Sequence, residues 1–234
     1  MLKFIIESIF QPYVLIFALA VCIAFFAMVL IFKPSKNEWL YIVGCYFMAL
    51  FGMLLGAKLT FIIENAVNRE EIYNSFYSGF SYVGGIIGYM VFVKLYTKLY
   101  KETPQEVTIN IMMIIPLIYS IAKIGCYFSG CCTGITKFPL QIIECFLYVT
   151  IYVIMAILYK KHLYRASNSN CVIVYLGLMA LSIFRFFIDF IRADRTIIFM
   201  HITLPQMLCL IFIYFFTKKL LNINQTVKHS NIKI

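Results

Sequence analysis

Long runs of apolar residues dominate the chain, and short polar segments separate them. A helix that crosses the hydrocarbon core of a bilayer needs about 20 mostly apolar residues. By that measure the sequence predicts seven spanning helices, at 13–32, 39–57 with a continuation to 63, 79–93, 107–128, 138–159, 171–191 and 202–217. The pattern predicts an all-α polytopic membrane protein, with one transmembrane domain over 1–221 and a basic cytoplasmic tail over 222–234.

The composition agrees with this fold class. Hydrophobic residues make up 63% of the 234 residues and charged residues 13%, whereas a soluble domain carries about 25% charged residues. These values exclude a cytosolic globular domain, a disordered chain and a disulfide-stapled secreted module. The net charge of +10 would suggest a nucleic-acid partner in a soluble protein. In a membrane protein it indicates cytoplasmic anchoring, and no nucleic-acid partner is expected.

The positions of the basic residues predict an orientation. An odd number of spans places the termini on opposite sides, and basic residues collect in cytoplasmic loops. With the C-terminus inside, twelve basic residues lie on the inner side and five on the outer side. The five are Lys3, Arg69, Lys137, Arg192 and Arg195. We therefore expect the N-terminus outside and the C-terminus in the cytoplasm.

A few charged residues fall within or at the ends of the predicted spans, where each costs about 3 kcal/mol. They are Lys58, Lys123, Glu144, Arg185, Asp189 and Arg192. The last three follow an i, i+4, i+7 spacing that places them on one helical face, where they could simply pair with one another. Counted together, however, the set has four cations and two carboxylates. Such a surplus suits the phosphate of a lipid, in a site that opens outward.

The segment 123–134 is the densest local signal, with three glycines and three cysteines: Gly125, Gly130, Gly134, Cys126, Cys131 and Cys132. The glycines allow sharp turns or close approach of a ligand. A metal site is disfavoured because C-x-x-C spacing and nearby histidines are missing. A disulfide remains possible, although the adjacent Cys131 and Cys132 would form a strained pair. The third alternative is that these are small apolar residues at a helix end. The other five cysteines are expected to be packing residues.

Glycines also mark the second and third predicted helices. Gly52 and Gly56, like Gly84 and Gly88, have the spacing that lets membrane helices approach closely. The segment 81–88 opens the third helix, so the backbone around Gly84 and Gly85 could also attract an anion.

These segments, in this order, resemble the prolipoprotein diacylglyceryl transferase family. The resemblance covers about 50–220 and has six points. They are Gly56-Ala57-Lys58-Leu59 with Glu64-Asn65 (family G-A-R-L…E-N), 81–88 (S-F-H-G-G-x-x-G), 123–134 (G-R-x-G-N-x-x-N-x-E-x-x-G), 138–144 (Y-P-x-Q-L-Y-E), 185–192 (R-F-x-x-E-F-x-R) and 204–206 (S-M-G-Q).

The resemblance implies seven helices in a bacterial plasma membrane and a transfer reaction. In it, the diacylglyceryl group of phosphatidylglycerol moves to the lipobox cysteine thiol of a pre-lipoprotein signal peptide, and glycerol phosphate is released. It assigns catalytic roles to Lys123, Glu144 and Arg192. Membrane lipids are the surrounding partners, and no metal or cofactor is expected. The implied substrate-binding residues are Lys58, Gly84, Gly85, Gly125, Cys126, Gly130, Gly134, Gln141, Arg185 and Asp189.

The chain departs from the family pattern at several of these positions. Val83 stands where the family has a histidine proposed to take the thiol proton, and Lys123 replaces an arginine. In the signature, Cys126, Ser129 and Cys131 replace two asparagines and a glutamate. A working transferase would then use Glu144 or water as the base. The alternatives are a relative that binds anionic lipid or lipopeptide without catalysis, and a membrane thiol oxidoreductase that uses Cys126, Cys131 and Cys132.

Overall fold

The computed structural model describes residues 12–32, 36–67, 82–100, 109, 111–135, 138–162, 167–193, 197–199 and 202–231. Within them lie seven long helices: α1 (Pro12–Phe32), α2 (Lys36–Val67), α3 (Tyr82–Leu99), α4 (Ile115–Phe128), α5 (Leu140–His162), α6 (Ser167–Ile188) and α7 (Leu204–Asn231). Each coincides with one predicted span.

The fold class predicted from the sequence is confirmed: the chain is an all-α polytopic membrane protein. Among the described residues, six helices have the length and hydropathy to cross a membrane. The exception among the seven is α3, whose apolar run is diluted by three glycines and by Lys94 and Lys98. Many large side chains exposed on the helices are apolar, for example Phe26, Leu30 and Leu40. Such surfaces suit contact with lipid chains rather than water.

Two short strands interrupt the helical pattern. Strands β1 (Ile197–Phe199) and β2 (Ile202–Thr203) pair antiparallel just before α7. The seventh predicted span therefore begins with a strand at Ile202 and becomes helical at Leu204. At its other end α7 continues to Asn231, so most of the predicted tail 222–234 extends this helix.

The chain divides into two compact units, one formed by Met1–Ile31 with Ile109–Ile234 and the other by Phe32–Thr108. In the first unit, consecutive helices pack against each other, α4 on α5, α5 on α6 and α6 on α7. Gly177 of α6 allows one of these contacts, because a Cβ there would lie 2.1 Å from the Met155 sulfur of α5. Tyr175 of α6 stacks on Phe216 of α7 at 5.9 Å between ring centroids.

The second unit is built on the α2–α3 pair, and its glycines have the packing role expected of them. A Cβ on Gly56 would lie 2.2 Å from the Gly84 carbonyl oxygen, and one on Gly88 would lie 2.0 Å from that of Gly52. These distances are far shorter than any real Cβ contact. The two helices therefore pack backbone against backbone, as small residues allow in membranes.

The α4–α5 loop and the chain after α6 hold each other in place in the first unit. Gly134 forms an isolated antiparallel bridge with Arg192. The Ile135 N–H donates to the Ile191 carbonyl at 2.9 Å, and the Ala193 N–H donates to the Thr133 carbonyl at 2.9 Å. Through these bonds, residues distant in sequence are brought to one end of α4, α5 and α6.

Candidate active site

Four charged side chains from α4, α5 and α6 form a buried ionic cluster, which we define as Lys123, Glu144, Arg185 and Asp189. Glu144 is 0% exposed and the other three are at most 8% exposed. Glu144 Oε2 pairs with Lys123 Nζ, and Glu144 Oε1 pairs with Arg185 Nη1 at 2.6 Å. Arg185 Nη2 also lies 3.7 Å from Asp189 Oδ1. Because an isolated buried charge is very costly, each of these groups depends on the others.

The prediction that Arg185, Asp189 and Arg192 share one helical face is confirmed for the first two residues and is wrong for Arg192. Arg185 and Asp189 pair at i, i+4 as expected. Arg192, predicted on the same face, lies off the helix, because α6 ends at Ile188 and tightens into a 3₁₀ turn over Asp189–Ile191. Arg192 has extended backbone (φ −74°, ψ 142°). Its bridge to Gly134 explains this conformation and places it beside the α4–α5 loop.

Polar side chains at the start of α7 extend the ionic cluster. The Thr203 hydroxyl donates to Asp189 Oδ2. Thr203 and Gln206 also cap α7 reciprocally: the Thr203 N–H donates to Gln206 Oε1 at 2.9 Å, and the Gln206 N–H donates to Thr203 Oγ1 at 3.3 Å. The role of Thr203 was missed in the sequence analysis. The signal was present, since Thr-x-x-Gln before an apolar run is a capping box.

Tyr148 was also missed, although it lies one turn after Glu144 on α5. Its hydroxyl donates to Glu144 Oε1 at 3.3 Å. Both carboxylate oxygens of Glu144 therefore have partners, Arg185 and Tyr148 on one and Lys123 on the other.

Three cysteines at the end of α4 form a second group, the three-thiol cluster, which we define as Cys126, Cys131 and Cys132. Their sulfur atoms all lie within 4.8 Å of one another. Cys126 is buried, Cys132 half-buried and Cys131 exposed. All eight cysteines of the chain are free thiols, so the structure contains no disulfide in this loop.

Backbone conformation brings the three sulfurs together. Gly130 and Cys132 both have left-handed backbone, with φ of 70° and 60°, a region that is strained for a side chain such as cysteine. The Cys131 N–H donates to the Cys126 carbonyl at 3.1 Å, and the Cys131 thiol donates to the same oxygen at 3.6 Å. The loop therefore folds back over the last turn of α4.

Arg192 links the three-thiol cluster to the positive charge of the site. Its Nη2 donates to the Cys132 sulfur at 3.1 Å. The pKa of the Cys132 thiol lies well below its usual range because the Cys126 and Cys131 thiols hydrogen-bond to its sulfur, and because Lys123 and Arg192 place positive charge nearby. Cys132 is therefore the most acidic thiol of the loop.

Gln141, at the start of α5, supports the same loop. Its Nε2 donates to the Cys131 carbonyl at 2.5 Å. The side chain is 2% exposed, and within the described part of the chain its Oε1 has no hydrogen-bond partner. This oxygen is an acceptor held next to the three-thiol cluster.

An apolar groove runs between α4 and α5 and ends at the ionic cluster. The cavity is about 270 Å³, and six of its seven lining residues are uncharged. The charged one is Lys123. The others are Ile124, Tyr127, Phe128, Ile142, Cys145 and Phe146.

Comparison with known proteins places the chain in a family. The family model described as prolipoprotein diacylglyceryl transferase matches residues 3–220. The chain belongs to the prolipoprotein diacylglyceryl transferase family. Relatives from Campylobacter jejuni, among them subsp. jejuni serotype O:23/36 (strain 81-176) and strain RM1221, are 28% identical over 168 residues. Each is named phosphatidylglycerol–prolipoprotein diacylglyceryl transferase, and the match covers 60% of this chain and 60% of each relative.

Most predicted site residues of this family member lie together in its first unit. The ionic cluster, Arg192, Cys126 and Gln141 line one end of α4–α6, as described above. The three predicted glycines shape the same segment: Gly125 accepts the Ser129 N–H at 3.0 Å, Gly130 has positive φ, and Gly134 bridges Arg192. Whether these residues bind substrate stays a prediction.

The remaining predicted residues of the family site belong to the second unit. Lys58 lies on α2 with its Nζ 5.8 Å from the Phe61 ring centroid. Gly84 and Gly85 lie on α3, and Gly84 has a structural role there, since a Cβ would lie 2.1 Å from Thr60 Oγ1. Their roles in binding stay predictions. The side chain of Val83 is outside the described part of the chain.

Proposed function

We propose that this chain is a phosphatidylglycerol–prolipoprotein diacylglyceryl transferase of a bacterial plasma membrane. The observation that carries the proposal is positive charge held inside a membrane helix bundle. Among the residues that the structure describes, Lys123, Arg185 and Arg192 gather with two carboxylates, Glu144 and Asp189, at one end of α4–α6. Three cations held together at that depth suit a phosphodiester, the anion that a membrane supplies there.

Arg192 is the group best placed to hold the lipid phosphate. It is half-buried at the edge of the loop, and a guanidinium has five N–H donors in a planar fork that fits phosphate oxygens. Lys123 supplies a second positive charge, but its ammonium is already paired with Glu144. We therefore assign phosphate contact to Arg192 and general electrostatic stabilisation to Lys123.

Glu144 is better suited to hold cations than to accept a proton. It is completely buried, and both oxygens are occupied by Lys123, Arg185 and Tyr148. A base must come within hydrogen-bond reach of the proton that it takes. These contacts favour Glu144 as the counter-ion that positions Lys123 and Arg185, rather than as the base considered in the sequence analysis.

The apolar groove between α4 and α5 suits an acyl chain of the donor lipid. Apart from Lys123, its lining carries no charge, and Phe128 and Phe146 at its edge are exposed on the lipid-facing surface. A chain in the groove would place its headgroup near Lys123. Gln141 Oε1, which has no hydrogen-bond partner among the described residues, is then an acceptor for a hydroxyl of the glycerol headgroup.

In the proposed reaction, the acceptor cysteine loses its thiol proton to water, and the thiolate sulfur attacks the glyceryl carbon that carries the phosphate ester. A C–S bond forms, the C–O bond breaks, and the oxygen leaves with the electron pair as glycerol phosphate. Positive charge aimed at the developing oxyanion lowers the barrier, and it acts most strongly where water is excluded. Arg192 and Lys123 supply that charge.

The test is transfer by the purified full-length protein. Labelled phosphatidylglycerol and a lipobox peptide are incubated with it, and the thioether product is detected by mass spectrometry. A peptide with serine in place of the cysteine is the substrate control. We expect Arg192→Gln to lower the rate about 100-fold, the usual effect of removing a group that stabilises an oxyanion.

The matched control is Lys160→Gln, which removes a positive charge from an exposed position at the end of α5 and should leave the rate unchanged. Lipid binding without any thioether would favour the lipid-binding alternative. Equal rates in Arg192→Gln and the wild type would contradict the assignment of the phosphate to Arg192.

A further inference from the structure

The three-thiol cluster has no part in the phosphate chemistry described above. Cys126, Cys131 and Cys132 place three sulfur atoms within 4.8 Å of one another. Thiolates are soft ligands that select zinc, copper(I) and iron–sulfur clusters over hard cations. The sequence argued against a metal site because C-x-x-C spacing is absent. That argument applies to sites in which C-x-x-C spacing brings two cysteines together. Here the left-handed turns at Gly130 and Cys132 bring the sulfurs together instead.

The distances are compatible with a tetrahedral metal ion. Zinc–sulfur bonds of about 2.3 Å place the sulfurs of a tetrahedral site about 3.8 Å apart. The sulfur–sulfur distances, which are at most 4.8 Å, would have to shorten by about 1 Å. Rotation of the cysteine side chains can produce this change. Cys131 already lies against Cys126, because its N–H and its thiol both donate to the Cys126 carbonyl.

The surroundings have the properties of a second coordination shell. Three thiolates with a divalent ion carry a net charge of −1. Arg192 offsets this charge directly, since its Nη2 donates to the Cys132 sulfur at 3.1 Å. The Gln141 amide holds the Cys131 carbonyl at 2.5 Å and so fixes the backbone of the ligand loop. Partners of this kind orient metal ligands and tune their donor strength.

Within the part of the chain that the structure describes, three side chains are placed to ligate the ion. They leave one position of a tetrahedral zinc ion open, which is the arrangement of catalytic rather than structural sites. Cys131 is exposed, so the cluster is accessible from outside the bundle. A thiol that coordinates zinc loses its proton, and a thiolate is the nucleophilic form of cysteine. The open position is thus suited to a fourth, incoming thiol.

We propose that Cys126, Cys131 and Cys132 bind one Zn²⁺ ion and that the open position of this ion binds the acceptor thiol as a thiolate. Binding of Zn²⁺ by the three thiols releases their protons to solvent, and the incoming thiol loses its own proton in the same way. Its sulfur then forms the C–S bond, and glycerol phosphate leaves with the C–O electron pair. The role of the open position rests on the proposed transferase function, whereas metal binding itself does not.

The first measurement is metal content. Full-length protein is purified in detergent under reducing conditions, and its zinc is counted by elemental mass spectrometry. We expect about one Zn²⁺ per chain in the wild type, loss of that ion in Cys131→Ser, and retention in Cys22→Ser. Cys131 is exposed, so its replacement leaves the helix packing intact. Cys22, also exposed but on α1, is the matched control.

The second measurement uses Co²⁺ in place of zinc. Cobalt bound to thiolates gives a sulfur-to-metal charge-transfer absorption, which should be lost in Cys132→Ser as zinc is in Cys131→Ser. A lipobox peptide should increase this absorption through a fourth cobalt–sulfur bond, and a peptide with serine in place of the cysteine should leave it unchanged. Folding of each variant is checked by size-exclusion chromatography.

Absence of zinc from the wild type, or retention of zinc when all three cysteines are replaced, overturns the metal site. A disulfide among these cysteines in protein taken directly from membranes, without zinc, would replace it with a redox role. An unchanged transfer rate after removal of the metal by a chelator overturns the thiol role and leaves the transferase intact. Zinc and peptide binding without any thioether product would instead contradict the transferase proposal and leave the metal site standing.

Discussion

Glu144 shows how much a single buried residue contributes in this molecule. It is the only described acidic side chain that contacts both Lys123 and Arg185. Removing one partner from a buried ion pair leaves an uncompensated charge, whereas removing a neutral hydrogen bond costs much less. The two effects can be separated at this site.

We expect Glu144→Gln to destabilise the protein by about 3–5 kcal/mol, because buried Lys123 would lose the carboxylate that it pairs with and Arg185 would keep only the longer pair with Asp189. Tyr148→Phe is the control, since it removes only the 3.3 Å hydrogen bond to Glu144 and should cost about 1 kcal/mol. Thermal unfolding in detergent compares the two. Similar midpoints for both variants would contradict a bridging role for Glu144.

Thr203 supports a second prediction at this scale. Its hydroxyl contacts Asp189 and Gln206 and caps α7, so Thr203→Val should cost about 2 kcal/mol through the lost cap and the lost bond to a buried carboxylate. Thr217→Val makes the same change on an exposed part of α7, where the hydroxyl donates to the Ile213 carbonyl at 2.7 Å and lies 3.6 Å from the Met179 sulfur. Among the residues described, it contacts no charged group there, and the change should be close to neutral. The unfolding midpoints of the two variants test this, and equal midpoints would argue against the cap.

At the scale of elements, two glycines of the α2–α3 pair differ in how much space a side chain would have. At Gly56 a Cβ would lie 2.2 Å from a backbone carbonyl, whereas at Gly85 the nearest atom would be 3.5 Å away. We expect Gly56→Ala to destabilise the pair by about 1–3 kcal/mol, because backbone cannot move aside as a side chain can. Gly85→Ala should be neutral or stabilising by up to about 1 kcal/mol, because alanine favours helix.

The measurement is again thermal unfolding, with the yield of monodisperse protein as a second indicator. A Gly56→Ala variant as stable as Gly85→Ala would show that the helices are not in backbone contact.

The end of α6 shows the limit of element prediction. Apolar periodicity continues through Ile191, so the sequence favoured a helix to that point. The α-helix nevertheless ends at Ile188, because the following residues turn and pair with the α4–α5 loop. That pairing joins segments almost 60 residues apart, and no local pattern encodes it.

At the scale of the whole molecule, the distribution of basic residues predicts the orientation. With the N-terminus outside, a green fluorescent protein fused to the C-terminus should be fluorescent and alkaline phosphatase at the same position inactive, because folding and activity of these reporters depend on the compartment. The opposite result would contradict the twelve-to-five distribution of basic residues as the determinant of topology.

The sequence by itself determined the fold class, the approximate position of every long helix and the family. These depend on hydrophobic run length and on ordered short motifs, and both are local properties of the chain. It also grouped the charged residues of the spans, because unpaired charges in a membrane are costly. That group was Lys58, Lys123, Glu144, Arg185, Asp189 and Arg192, of which four form the ionic cluster.

Only the tertiary structure decided which partners these residues have. It put Lys123 and Arg185 on opposite oxygens of one carboxylate, moved Arg192 off the α6 face to the Cys132 sulfur, and recruited Thr203 from the start of α7. It also brought together the sulfur atoms of three cysteines whose role the sequence left open. The physical reason is that such contacts depend on left-handed turns and on pairing between distant segments, which side-chain periodicity does not record.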